Sequence, residues 1–415
     1  MITRKGIGAF EWLDLCLCFA VATIPWYYNL NSQALILFCV VAAFKNNLAD
    51  KKRLLARNYY WLLPVVYYIV VAASILWDSN GLAAAKVMEK HTSFLVLPLA
   101  IASVPAFSAR AIKTALFSFV VSIIVICLFC LVLSYKAYLV SGDSRLFFYH
   151  YLSQQMDLNA IYLSMFVLFS ILVILYYCFI IPGASMLHKW LLTPVAAFLA
   201  FMILLLSSKM DIFLLLLTMA ITVLYIFYLH RMLLRGIVFG VLLIIGSGFL
   251  LWQLPYVRWR IQVTELKKYQ NTTDDQNGLA ARGVMWKSAT ELIAKRPIQG
   301  YGLQNGSEQL IDKYRKYHFD LAIQEKYDAH NVYLQTLLNT GILGLIPILL
   351  ILMGAVGRAV RDRNYLFLLF ALTLTVQCMT DSLLEVQKGI VFFLLFLLLF
   401  YYHSPAAFRN SLRKS

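Results

Sequence analysis

The chain carries one histidine placed to act as a base. His330 lies in the segment Tyr327-Asp-Ala-His-Asn-Val-Tyr333, at the start of a long apolar run. We expect Asp328 or Ala329 at the helix N-cap and His330 in the first turn. The positive end of a helix disfavours imidazolium and keeps the ring neutral, as a general base requires. The alternative is an interfacial histidine that makes only a cap-like hydrogen bond.

Two cations have the chemistry of phosphate ligands. Arg282 stands in Ala280-Ala-Arg-Gly-Val-Met-Trp286, and its guanidinium offers forked donors that match phosphate oxygens. Lys209 stands in Ser207-Ser-Lys-Met-Asp211, a polar break between two apolar runs, where a cation is costly unless it snorkels or pairs. A solvated arginine and a Lys209–Asp211 pair are the structural alternatives.

Further polar side chains cluster where an apolar run begins, in the stretch from 145 to 159 that includes Gln154. The residues expected to line a cavity are Tyr327, Asn331, Arg145, His150 and Asn159. No H-E-x-x-H, D-x-D or paired-cysteine spacing occurs, and no Walker or Rossmann glycine pattern. We therefore expect a reaction that needs neither metal nor cofactor.

These residues are embedded in an apolar chain. Of its 415 residues, 61% are hydrophobic and only 13% charged, with a mean hydropathy of +0.75, whereas soluble domains carry about 25% charged residues. Such a chain must face lipid. The net charge of +16 lies mostly in short breaks between apolar runs, which indicates membrane topology and excludes nucleic acid as the expected partner.

The fold class predicted is an all-α polytopic membrane protein, because an apolar run of roughly 17–25 residues can cross a bilayer as a helix. About twelve spans are predicted, near residues 12–29, 33–45, 60–77, 92–108, 112–135, 158–181, 190–207, 210–229, 233–252, 331–356, 364–380 and 388–403. Lys and Arg concentrate in the even-numbered breaks and at both ends, so both termini are expected in the cytoplasm.

The ninth break is long and polar. It predicts a helical subdomain that packs on the membrane part, with a helix over residues 281–295. The chain is thus divided into spans 1–9 (residues 1–252), the loop subdomain (253–329), and spans 10–12 with the tail (330–415).

Motifs in and after this loop resemble a known family. Arg282 with Trp286, then Arg296-Pro-Ile-Gln-Gly-Tyr-Gly302, then Ala329-His-Asn-Val-Tyr-Leu334 with Thr340-Gly-Ile-Leu-Gly344 look like the signature region of O-antigen ligases and polymerases. The resemblance covers about 65 residues, and elsewhere it is one of topology. The family often has an arginine where this chain has Lys209.

The resemblance implies a GT-C-like helical fold in the bacterial inner membrane, with the large loop and the active site on the periplasmic face. A glycan would pass en bloc from undecaprenyl diphosphate to an acceptor hydroxyl, without metal and with inversion. His330 matches the proposed base, while Arg282 and Lys209 match the diphosphate ligands. The acceptor is a lipid A-core sugar in a ligase and a second lipid-linked glycan in a polymerase.

Three other activities stay open at this stage. Polymerisation and transfer to a protein hydroxyl share the same motifs. A transporter of lipid-linked glycans belongs to a different class, and it would need charged or broken helices at the midplane and often two similar halves, which the sequence does not display.

Overall fold

The computed structural model describes residues 11–79, 81–181, 185–229, 231–232, 234–242, 246 and 279–403, and these are helical without any strand. The labelled helices are α1 (Trp12–Ala22), α2 (Tyr28–Phe44), α3 (Leu48–Arg57), α4 (Leu62–Ala73), α5 (Gly81–Glu89), α6 (Ser93–Ala102), α7 (Ala109–Ser141), α8 (Tyr149–Gln154), α9 (Ala160–Leu175), α10 (Met186–Leu206), α11 (Lys209–Leu229), α12 (Leu279–Ile293), α13 (Leu303–Lys316), α14 (Asp320–Gln324), α15 (Val332–Arg361), α16 (Tyr365–Thr380) and α17 (Gln387–His403). Residues 234–242 are helical too.

Six helices among the described residues are long and apolar enough to cross a membrane, or up to seven if the bent pair α2 and α3 is one span. The six are Tyr59–Trp77, Ala109–Ser141, Ala160–Ile180, Met186–Leu206, Lys209–Leu229 and Val332–Arg361. Helices α1, α16 and α17 are apolar but shorter. The count of twelve spans stays a prediction, and half of the ninth predicted span lies outside the described residues.

The first predicted run, residues 12–29, is not one helix. Helix α1 has 11 residues, which at 1.5 Å per residue span about 16 Å of a hydrocarbon core about 30 Å thick. It ends before Pro25, whose missing N–H prevents the helix from continuing. Thr23 closes the end by donating its hydroxyl to Phe19 O at 2.9 Å.

Hydrogen bonds join the odd-numbered breaks to one another. Asp78, in the third break, accepts from the backbone N–H of Gln304 at 2.8 Å and so caps α13. Lys90 pairs at 2.6 Å with Glu385 in the eleventh break. Elements that were predicted to share one face of the membrane therefore do lie together, and the periplasmic identity of that face stays a prediction.

Helices α12, α13 and α14 form the described part of the ninth break, and residues 253–278 lie outside the described range. The predicted helix over 281–295 is present as Leu279–Ile293. Met285, Leu310 and Tyr314 are buried in one cluster with Ala329 and Leu338. This cluster packs α12 against the start of α15, which brings Arg282 towards His330.

A break in α15 fixes that packing. Gly341 has φ +64° and ψ −160°, so the helix is interrupted there. The backbone carbonyls of Leu338 and Asn339 accept instead from the N–H groups of Tyr301 (2.8 Å) and Gly302 (2.9 Å). The Gly-Tyr-Gly motif and the Thr-Gly-Ile-Leu-Gly motif are thus joined through the backbone, in a junction between residues 297–302 and the break in α15. The backbone groups that the break leaves without helical partners are hydrogen-bonded there.

Candidate functional site

His330 lies just before helix α15 rather than in its first turn. The N-cap is Asn331, whose side chain accepts from the backbone N–H of Leu334 at 3.0 Å. His330 has φ +44°, a left-handed conformation that a helix cannot contain. The predicted cap at Asp328 or Ala329 is wrong because Asn331 is a strong capping residue and takes that place.

Asp328 ties the histidine segment to the break between α16 and α17. Its Oδ1 accepts from the backbone N–H of His330 at 2.8 Å and from the hydroxyl of Ser382 at 2.9 Å. The same hydroxyl accepts from the N–H of Asn331 at 3.1 Å. The backbone around His330 is thus held from both sides, and the strained left-handed residue is maintained by its surroundings.

The imidazole of His330 has unused hydrogen-bonding capacity. Its Nδ1 is buried and has no hydrogen-bond partner among the described residues. The ring meets the edge of Tyr327 at a centroid distance of 5.4 Å. Asp328 and Asp381 lie in electrostatic range of the ring, and a cationic imidazole would stabilise either carboxylate.

Asp381 and Arg282 belong to the same site as His330, since both His330 and Arg282 lie in electrostatic range of the Asp381 carboxyl group. Asp381 is 9% exposed, and its Oδ2 lacks a hydrogen-bond partner among the described residues. Burial raises the pKa of Asp381, while His330 and Arg282 act in the opposite sense. Arg282, in the first turn of α12, also has a buried Nε without a partner in the described part of the chain. Unsatisfied polar atoms are rare in folded proteins, so three converging side chains with such atoms indicate a site for a polar ligand.

Lys209 begins helix α11, where its side chain is exposed. Asp211, in the same first turn, is buried and accepts from Ser208 Oγ (2.7 Å) and Gln377 Nε2 (2.8 Å). Asp211 also borders a narrow cleft that reaches Asp381. The Lys209 segment therefore joins the candidate site through this cleft.

The five residues predicted to line one cavity have different surroundings in the structure. Asn331 caps α15 and donates to Met379 O at 2.8 Å, so its side chain is used by the fold. Tyr327 contacts His330 as described above. Arg145 forms an exposed ion pair with Asp143, and His150 Nδ1 accepts from the N–H of Ala160 at 3.4 Å.

Asn159, the N-cap of α9, borders a separate polar cavity with Tyr162 and Lys388. Sequence reasoning missed the carboxylate of Asp381 and the amine of Lys388. A signal for both was present, since the only acidic and basic side chains between residues 364 and 402 are Asp381, Glu385 and Lys388. Charges in an apolar stretch mark functional sites by default.

Replacing Asp381 with Asn should stabilise the protein at neutral pH. Because the folded-state pKa of Asp381 lies above its unfolded value of about 3.9, its contribution to stability is complete below that value and is lost as the pH rises through the folded pKa. Asn carries no charge at any pH. The melting temperature of Asp381→Asn should therefore exceed that of the wild type at pH 7, and the difference should shrink towards pH ~4.

The measurement is thermal unfolding of the purified protein in detergent across this pH range. The matched control is Glu308→Gln, which neutralises an exposed carboxylate on α13. An Asp381→Asn difference that stays constant or grows as the pH falls would contradict burial as the cause.

The fold and the candidate site together define the class of protein. The described chain is helical, several helices are apolar enough to cross a membrane, and charged side chains converge at one face of the helical assembly. It is a multi-pass membrane protein with a polar site between its loop helices and its C-terminal helices.

A family model matches part of the chain. Residues 194–349 match the family model described as O-antigen ligase, and this stretch contains Lys209, Arg282 and His330. The match confirms the resemblance to O-antigen ligases and polymerases and supports, at the level of the family, a membrane enzyme that acts on lipid-linked glycans. A comparison with curated proteins found no match.

Proposed function

We propose that the protein is a membrane glycosyltransferase of the O-antigen ligase type. It transfers a glycan en bloc from undecaprenyl diphosphate to an acceptor hydroxyl, for which we favour a sugar of the lipid A core. The reaction takes place on the periplasmic face of the bacterial inner membrane, with both termini in the cytoplasm. The family match supports the general activity, and the donor, acceptor and side are proposals.

One observation carries the proposal, the convergence of His330, Arg282 and Asp381. Each has a buried polar atom without a hydrogen-bond partner in the described structure. A base, a cation and a carboxylate are the groups required to deprotonate a hydroxyl and to hold an anionic leaving group. The family match includes Arg282 and His330 and ends before Asp381.

In the proposed reaction the acceptor oxygen attacks the anomeric carbon of the donor sugar. The new bond from carbon to the acceptor oxygen forms as the bond to the diphosphate oxygen breaks, and the diphosphate leaves with the bonding electrons. His330 takes the hydroxyl proton. The imidazole that receives this proton has two carboxylates in electrostatic range. Asp328 and Asp381 then stabilise the imidazolium.

The leaving diphosphate develops negative charge in the transition state, and preorganised cations near a low-dielectric boundary stabilise such charge strongly. We assign this role to Arg282, whose half-buried guanidinium faces the site. Lys209 provides a second positive charge, as a point charge without the forked geometry of arginine. The Gln377–Asp211 hydrogen bond holds its segment beside the cleft.

The test is transfer by the purified chain in proteoliposomes with an undecaprenyl-diphosphate-linked glycan. Lipid A-core is offered as acceptor in one reaction and a second lipid-linked glycan in another. Product on lipid A-core supports the ligase, and lengthened lipid-linked glycan supports the polymerase instead. Movement of the glycan-lipid across the bilayer without any glycosidic product would overturn transfer and favour a transporter.

Replacing Arg282 with Ala should lower kcat/KM for the donor about 100-fold, as removal of one preorganised charge-stabilising donor does. The protein should remain folded, because the guanidinium is only half-buried and its Nε has no partner to lose. Inorganic pyrophosphate should inhibit the wild type and have little effect on the variant. The assay is transfer over a range of donor concentrations.

The matched control is Arg315→Ala, which removes an exposed arginine from α13 in the same loop region. It should retain wild-type kinetics. Normal product at normal donor concentration in Arg282→Ala would remove Arg282 from the diphosphate site.

A further inference from the structure

A second polar cavity lies beside the candidate active site. Its volume is about 300 Å³, at the lower end of the range of about 300–1,000 Å³ typical of ligand pockets. Its polar lining comes from Tyr28, Gln154, Asp157, Asn159, Tyr162 and Lys388. Tyr162 also borders the cleft that reaches Asp381, so the two spaces share this side chain in their walls.

Lys388 is a buried lining residue of this cavity. Lys388 is only 3% exposed, and its ammonium has no hydrogen-bond partner among the described residues. The ammonium contacts the ring of Tyr28 at 4.5 Å from the centroid. Burying a cation is costly, and a cation–π contact offsets only part of that cost. A ligand with oxygen acceptors would supply the missing hydrogen bonds.

The mouth of the cavity carries the opposite charge. Asp157 is exposed there, in electrostatic range of Lys388, and no ion pair between them is found in the described structure. The carboxylate and the ammonium therefore remain available to separate groups of a ligand. One positive and one negative side chain also make the cavity a poor site for a diphosphate, which would be repelled by Asp157.

The remaining lining favours a neutral, hydroxyl-rich ring. Gln154 and Asn159 are exposed amides at the mouth, and the Asn159 carbonyl oxygen already accepts from the N–H of Ile161, which leaves its NH₂ to donate. Tyr28 offers an aromatic face. Sugar hydroxyls both donate and accept, so they can be bound by an ammonium, a carboxylate and amides at once.

We propose that this cavity is a sugar-binding subsite, in which Lys388 donates to sugar oxygens and Asp157 accepts from sugar hydroxyls. The inference rests on the proposed function, since it assigns to the cavity a sugar residue of the glycan next to the reacting centre. The sugar belongs either to the donor or to the acceptor, and both present the same chemistry.

The test compares the full chain with Lys388→Met, which keeps an unbranched side chain, one heavy atom shorter, and removes its charge. The matched control is Lys86→Met at an exposed lysine. The probes are lipid-free neutral oligosaccharides of hexoses and N-acetylhexosamines, and inorganic pyrophosphate. Binding is measured by saturation-transfer NMR and by the shift in melting temperature.

We expect oligosaccharide binding at least 10-fold weaker in Lys388→Met than in the wild type or the control, with pyrophosphate binding unchanged. Without ligand, the variant should melt at a higher temperature, because a buried cation without a hydrogen bond is gone. Asp157→Asn provides a second variant at an exposed position and should also weaken oligosaccharide binding. In transfer assays, an increased KM for the donor or for the acceptor identifies which sugar occupies the subsite.

Equal oligosaccharide binding by the wild type and Lys388→Met, or no binding by the wild type, would overturn the subsite. Loss of pyrophosphate binding alone would overturn it too and assign the cavity to a diphosphate. Lys388-dependent sugar binding without any transfer would sustain the subsite and refute glycosyl transfer. Normal transfer at low donor and acceptor concentrations in Lys388→Met would leave the proposed function standing and refute the subsite.

Discussion

Replacing His330 with Asn should reduce glycosyl transfer about 10²–10⁴-fold, the usual contribution of general base catalysis. Asn is the informative substitute, because the position has φ +44° and Asn tolerates the left-handed conformation better than most residues. The backbone N–H that donates to Asp328 is retained, so the segment should keep its conformation. The measurement is single-turnover transfer in proteoliposomes, which reports the chemical step.

His318→Asn is the matched control. His318 also has a positive φ, +51°, and lies exposed in the same loop region between α13 and α14. It should retain full transfer. Wild-type rates in both His330→Asn and the control would mean that His330 does not receive the acceptor proton. Asp381 would then become the candidate base.

The helical architecture could be predicted from the sequence because apolar runs are long and continuous. Helix α7 covers the fifth predicted run and α15 covers the tenth, with ends that differ by a few residues. The errors occur at prolines. Pro25 ends α1 early, and Pro105 follows the early end of α6, so hydropathy alone overestimates both spans.

The candidate site was only partly predictable. His330 and Arg282 stood out because each lies in a polar segment with a recognisable motif, and the structure brings their helices together. Asp381 was missed because it follows an apolar helix and is distant in sequence from the loop. Its proximity to His330 depends on the Ser382–Asp328 hydrogen bond, a contact between residues 54 positions apart. Periodicity carries no information about such a contact.

The conformation of His330 was also beyond the sequence argument. Asp, Asn and His occur together there, and any of them can precede or cap a helix. Which residue caps depends on whether the preceding backbone is held in place by tertiary contacts. Ala329 donates to Gln335 Oε1 at 2.9 Å, and Asp328 accepts from Ser382, so Asn331 is left to cap. His330 then projects from a fixed turn rather than from a helix.

Replacing Gly341 with Ala should destabilise the protein by on the order of 4 kcal/mol, the sum of backbone strain and overpacking. A Cβ at this position would lie 2.1 Å from the carbonyl oxygen of Ile298, and φ is +64°. The Ile298 segment would have to move away, which would break the hydrogen bond from Ile342 N–H to Pro297 O. The measurement is the midpoint of chemical or thermal unfolding in detergent.

Gly357→Ala, in the same helix, is the control, because its Cβ would meet no atom within 4 Å. A helix-interior Gly→Ala change in open space should stabilise by roughly 0.5–1 kcal/mol. Opposite signs for the two glycines would establish that the Gly341 break is required for the fold. Equal effects would mean that the loop helices are held by the Met285–Tyr314 cluster alone.

The Gly341 result also bears on catalysis. The junction between residues 297–302 and the break in α15 orients α12, and α12 carries Arg282. If the junction positions that arginine, Gly341→Ala protein that remains folded at low temperature should show the same direction of change in kcat/KM for the donor as Arg282→Ala, while His330 stays in place through Asp328 and Ser382. Loss of pyrophosphate inhibition in Gly341→Ala, as expected for Arg282→Ala, would assign the effect of the junction to the diphosphate site rather than to the base His330.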